Sequence, residues 1–158
     1  MKTPKVIKDL TIQNYESIED DKALIIGQKW LSIFCPAVTS FRGLRRCMNT
    51  LWEKMNGDFF QEEAQEEYER HAAPSYYIME DNFGENEKVI YVSRTKPIKN
   101  CHGNEVHIFP KNFAWCMTYS HEDGYITPIF SKSKEYEKLE KMNLKSMAEM
   151  ESTSFCCR

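Results

Sequence analysis

The sequence predicts an α+β domain, with N-terminal helices packed on a C-terminal antiparallel sheet of about five strands and a closing C-terminal helix. Three observations carry that expectation. Apolar residues recur at three- and four-residue steps in the first half, the period changes to two from Ser75 onward, and Asp123-Gly124 sits between two alternating apolar runs. The chain has 158 residues, which suits one core, read as a single domain over 1–150 with a flexible tail at 151–158. Hydrophobic residues make up 41% and aromatics 13%, enough to fill a core and to argue against disorder.

The first fifteen residues are mixed, with a short strand expected at 6–12. A first helix is expected over 20–34. Glu19, Asp20 and Asp21 suit its positive N-terminus, Leu24, Trp30, Leu31 and Phe34 share an inner face, and Pro36 ends it. A second helix runs from a Thr39 or Ser40 cap to Gly57, with Phe41, Leu44, Met48, Leu51, Trp52 and Met55 as its buried stripe. A third helix, 59–72, is capped by Asp58 and stopped by Pro74. Strands follow at 75–80, 89–93, 105–109, 113–121 and 125–130. A charged helix over 134–150 closes the fold, its apolar edge formed by Tyr136, Leu139, Met142 or Asn143, and Met147.

Asp-Gly between alternating runs is a strong hairpin signal. A type I′ turn at Asp123-Gly124 places Tyr119 opposite Pro128 and Met117 opposite Phe130. Phe113, Trp115, Met117, Tyr119 and His121 then share an aromatic face, and Ala114, Cys116, Thr118, Ser120 and Glu122 take the other. Pro128 lacks a backbone donor and marks the last strand as an edge. On this register His121 and Glu122 point apart and do not form an acid–base pair. His121 reads as a hydrogen-bonded structural histidine, and Glu122 and Asp123 as solvated turn residues.

Asn112-Phe113-Ala114-Trp115, then Ser120-His121-Glu122 and a closing Pro128-Ile129-Phe130, resembles the C-terminal signature of a small bacterial domain family with no settled activity. That family carries an Asn/Asp-Phe-x-Trp strand, a Thr-His-Glu turn and a Gly-Pro-Tyr-Phe-like strand after a helical first half. Here Ser120 stands for the Thr, Thr127 for the Gly and Ile129 for the Tyr, and the match covers about 20 of the 158 residues. The resemblance implies the order of the fold and a bacterial or phage origin, and it supplies no catalytic residue. Similar hairpins are found in immunity-type proteins of bacterial toxin systems, which adds a functional expectation.

Composition excludes some functions. Net charge is −3, and acidic residues outnumber basic ones strongly between Glu53 and Lys88. A broad basic surface for nucleic acid is therefore not signalled. The N-terminus lacks an apolar core of about 7–15 residues, and no run is long enough to span a membrane. A cytoplasmic location is expected. Cysteines stand at 35, 47, 101, 116, 156 and 157, none in a C-x-x-C pair, and read as reduced thiols. Cys101, His102, His107, Cys116 and His121 lack ligand spacing, so no metal and no cofactor are expected. No Gly-rich phosphate loop, G-x-S-x-G elbow or H-E-x-x-H run occurs.

Two readings of function follow. The first is a non-enzymatic cytosolic binding protein of immunity or regulatory type, in which Glu62, Glu63, Glu66 and Glu67 dock a basic protein partner. The plain alternative for those acids is a solvated helix face. The second is a small hydrolase or nucleic-acid-processing enzyme using His107, Cys116 and His121, with Cys116 set against His107 on an adjoining strand. Cys116 also fits a buried structural thiol. Arg42, Arg45 and Arg46 fall off their helix stripe, either to hold a phosphate or to form a solvated face.

Overall fold

Val6, Ile7 and Leu10 are buried at helical spacing, so the first element is a short helix, α1 (Lys5–Asp9), where a strand was expected. The computed structural model describes residues 2–38, 54–81, 83, 88–97 and 104–156. The expected second helix falls mostly outside these residues, and with it Arg42, Arg45 and Arg46. The class is α+β, and among the described residues the sheet has seven antiparallel strands instead of about five. Helices and strands also interleave, and the helices do not all come first.

The two uncounted strands are short edge strands whose signals are overrun by helices. β1 (Glu16–Glu19) passes directly into α2 (Asp20–Phe34), and β2 (Phe59–Phe60) directly into α3 (Gln61–Arg70). Asp20 and Gln61 make these junctions, each at φ 54°, in the left-handed region. Each turns its N–H back onto a neighbouring backbone carbonyl, Asp20 onto Lys88 O at 3.0 Å and Gln61 onto Pro128 O at 2.8 Å. Those bonds satisfy donors that a helix start leaves without intrahelical partners. Asp58 does not cap α3. Its Oδ2 accepts the Lys132 backbone N–H at 2.7 Å, which holds β2 beside the last strand.

The remaining elements are β3 (Tyr76–Glu80), β4 (Val89–Ser93), β5 (Val106–Pro110), β6 (Trp115–Tyr119), β7 (Ile129–Lys132) and α4 (Tyr136–Cys156). The sheet order is β1-β4-β3-β5-β6-β7-β2. β7 is thus covered by β2, and Pro128, which follows a cis peptide bond, stands in the connection before β7 and not on an edge strand.

Helices cover both faces, which is why β5 and β6 are buried at every position instead of alternating. On one face, Trp30, Leu31 and Phe34 of α2 pack on Met79, Ile90, Phe109 and Cys116. On the other, α1, Ala64 and Tyr68 of α3, and Tyr136 and Leu139 of α4 pack on Tyr76, Ile108, Trp115, Met117 and Tyr119. Phe113 does not share the Trp115 face. Its φ of 60° breaks the alternation, and its ring packs with Phe109 on the α2 side.

Met117 pairs with Phe130, the expected register. The hairpin end differs. The strands stop at Tyr119 and Ile129, and the nine residues between them form a compact loop instead of a two-residue turn. Glu122 O accepts the N–H groups of Tyr125, Ile126 and Thr127, and Gly124, at φ 95°, donates to Thr127 O. Among the described residues no helix is long and apolar enough to cross a membrane.

Candidate functional site

The β5–β6 register sets His107 opposite Thr118, and the β3–β5 register sets it opposite Met79, so Asp81, two residues on, comes beside its ring. His107 Nε2 lies 2.6 Å from Asp81 Oδ1, and Nδ1 lies 2.8 Å from Thr118 Oγ1. The Thr118 hydroxyl donates to Met55 Sδ at 3.2 Å. Nε2 donates to the Asp81 carboxylate, and with the imidazole raised to about 9 the ring is protonated at neutral pH, so that Nδ1 donates to Thr118. Trp30 lies over this ring, the centroids 4.4 Å apart, as suits a cation.

Burial on its own would push His107 down. The hydrogen bond and charge of Asp81, together with Cys116, outweigh it and raise the imidazole to about 9. Cys116 Sγ accepts the Trp30 Nε1–H at 3.4 Å. Cys35, on the same side of the sheet, has its thiol pushed far above the ordinary range by burial, with Cys116 and Asp81 adding to the shift.

His107 and Cys116 are thus brought together, as the enzyme reading requires. Their chemistry is nevertheless closed. Both ring nitrogens of His107 are occupied, and neither residue has any exposed surface. A general base must offer a nitrogen to the group it deprotonates, and this one offers none.

His121 stands apart from that pair. It sits just past the end of β6, its side chain 55% exposed, hydrogen-bonded through Nδ1 to Glu105 and with Nε2 3.3 Å from Glu122 Oε1. Glu105 raises it above the ordinary histidine range. The expectation that His121 and Glu122 point apart fails because strand alternation ends at Tyr119, before either residue. Cys101 and His102 lie outside the described residues. Among those described, no three His, Cys, Asp or Glu side chains gather as metal ligands would.

No protein-family model, curated protein or solved structure matches this chain.

The acidic run separates by burial. Ala64 and Tyr68 face the core, four residues apart, so Glu62, Glu63 and Glu66 project outward and Glu69 joins them. Glu67 does not belong to that exposed set. Its carboxylate pairs with Arg70 and lies 3.8 Å from His71 Nδ1, while its carbonyl takes the same nitrogen at 2.5 Å. His71 Nε2 meets the Tyr136 hydroxyl at 2.6 Å, which ties α3 to α4.

Large apolar side chains border the acids. Phe60 is 48% exposed, Tyr125 79% and Ile126 46%. Gln61 joins the two groups, its Nε2 donating to Tyr125 O at 2.5 Å. Sequence reasoning missed these residues, because a Phe before a helix and a Tyr beside Asp-Gly carry no mark that tells an exposed ring from a buried one. It missed Asp81 as well, for which the sequence carries no signal, since a lone Asp after a strand reads as a loop residue.

Proposed function

We propose that this is a non-enzymatic binding protein of immunity or regulatory type, which captures a basic protein partner through the exposed face of α3 and the adjoining β6–β7 loop. The observation that carries this reading is the hydrogen-bonded junction of Gln61 with Tyr125. It sets exposed Phe60, Tyr125 and Ile126 against Glu62, Glu63 and Glu66. Aromatic anchors supply most of the affinity in protein interfaces, while rim charges steer the encounter and reject wrong partners. A surface acidic at its rim and aromatic beside it fits a partner with basic residues around an apolar pocket. The hydrolase reading with His107, Cys116 and His121 lacks comparable support, since the first two are enclosed and the third lies outside their cluster.

Affinity capture from source-cell lysate tests the reading, with wild type, a Glu62→Gln/Glu63→Gln/Glu66→Gln triple variant and Tyr125→Ala as baits. The expected result is a basic protein held by wild type at low salt, reduced with the triple variant and lost with Tyr125→Ala. Equal capture of every protein by all three baits would sink it.

A further inference from the structure

At one end of the sheet, the C-terminal half of α2, the β5–β6 turn and the start of α4 enclose a cleft of about 320 Å³. That volume lies within the roughly 300–1,000 Å³ usual for small-molecule sites. Among the described residues, Lys29, Lys132 and Lys134 line it against one acid, Glu135, a balance of two positive charges. Among the described residues none of these lysines is in an ion pair. Two are instead held over aromatic rings. Lys29 Nζ lies 4.7 Å from the Phe113 centroid, and Lys132 Nζ 4.5 Å from that of Tyr136. Such contacts position an ammonium without neutralising it.

The cleft is also braced. Asn112 Nδ2 donates to Leu139 O at 3.0 Å and to Asn143 Oδ1 at 2.9 Å, and its Oδ1 accepts the Ala114 N–H at 3.2 Å. The turn carrying Phe113 is thereby fixed to α4. Half-buried Ile33 and Leu139 add apolar wall beside the charges.

We propose that this cleft binds a small organic phosphate, a dianion carried on a compact apolar body. A phosphomonoester bears about −1.5 to −2 charge near neutral pH and so matches the lining, whereas a carboxylate leaves a lysine uncompensated. Lysine binds phosphate as a mobile point charge, which suits ammonium groups approaching from α2 (Lys29), the end of β7 (Lys132) and the turn before α4 (Lys134). The site is independent of the acidic face of α3.

Isothermal titration with phenyl phosphate tests the proposal, with phenol and inorganic phosphate run in parallel. Saturable one-to-one binding that weakens with salt is expected, with phenyl phosphate tighter than either comparison compound. Lys29→Gln and Lys134→Gln change exposed side chains, so the melting temperature should hold while affinity falls about tenfold in each. Lys138→Gln, on α4 outside the cleft, should leave affinity unchanged, and so should the triple glutamine variant of α3. Binding that never saturates, or that is indifferent to Lys29→Gln and Lys134→Gln, overturns the proposal. Phenol or inorganic phosphate matching phenyl phosphate overturns it as well.

Discussion

His107 is joined to Asp81 across 2.6 Å, with the two side chains 0% and 1% exposed. The pair links the end of β3 to β5, and Thr118 extends it to β6, so three central strands share one buried charge pair. An enclosed ion pair of this kind makes stability depend on pH in a defined window.

The first prediction concerns that window. His107 is raised to about 9 in the folded protein, and an unfolded histidine titrates near its ordinary value of about 6.5. A raised folded value means that the folded state keeps a proton which the unfolded state gives up. The contribution is therefore complete below about pH 6.5 and is lost as pH rises through about 9. Urea midpoints should fall across this interval in wild type, and the decline should be clearly smaller in His107→Gln, where the exposed and also raised His121 remains. A flat wild-type profile contradicts the imidazolium.

Asp81→Asn removes the carboxylate and leaves the buried ring without its counter-charge. Breaking one partner of an enclosed ion pair typically costs about 3–5 kcal/mol. A loss of this order in equilibrium unfolding is expected, with the pH dependence between about 6.5 and 9 reduced at the same time. A cost no larger than that of an exposed Asp→Asn exchange speaks against the pairing.

Gly57 tests the β2 edge. A Cβ at this position would lie 2.7 Å from Ile129 Cγ2 and 2.8 Å from Phe60 Cζ. The Phe60 ring is exposed and can swing away, but Ile129 is buried and cannot. Gly57→Ala should destabilise the protein by about 1–3 kcal/mol, the usual range for overpacking. Thermal unfolding gives the answer, and an unchanged melting temperature rules out the contact.

Periodic elements were legible in the sequence, and elements made by tertiary pairing were not. α2 spans its expected range because its apolar spacing, acidic start and Pro36 agree. Met117 meets Phe130 because alternation on both strands leaves one register that buries their aromatic faces. Phe59 and Phe60 read as the start of a helix because Asp58 looks like a cap, and only pairing with Phe130 and Ile129 makes them a strand. The His107–Asp81 pair joins residues 26 apart in sequence through two strand registers, so no local pattern announces it. For the same reason the exposed aromatics beside α3 could not be told from core residues.

Cys35 and Cys116 are both buried, and burial raises the Cys35 thiol. The thiolate is the reactive form, so both positions should resist alkylation in the native state. Peptide mapping after iodoacetamide treatment should find them modified only when denaturant is present. Rapid native labelling of either residue places it at the surface.

The last prediction separates core from surface. Cys116→Ser replaces a sulfur that accepts the Trp30 Nε1–H, within a closed cluster. Its effect should be a stability loss of about 1–2 kcal/mol, the ordinary range for a buried change. Partner capture by the folded fraction should persist. Glu67→Gln should also act through stability, because its carboxylate pairs with Arg70 beside buried His71. Tyr125→Ala and the Glu62→Gln/Glu63→Gln/Glu66→Gln triple change exposed residues and should leave the melting temperature within about a degree or two. Their effect should fall on association, with the charge variant slowing capture most at low salt, where steering is least screened. Melting temperature and capture measured side by side place each variant in one group or the other. A folded Cys116→Ser protein that has lost its function, beside a fully active Tyr125→Ala, reverses the assignment. It would move the working site from the α3 face to the His107 cluster.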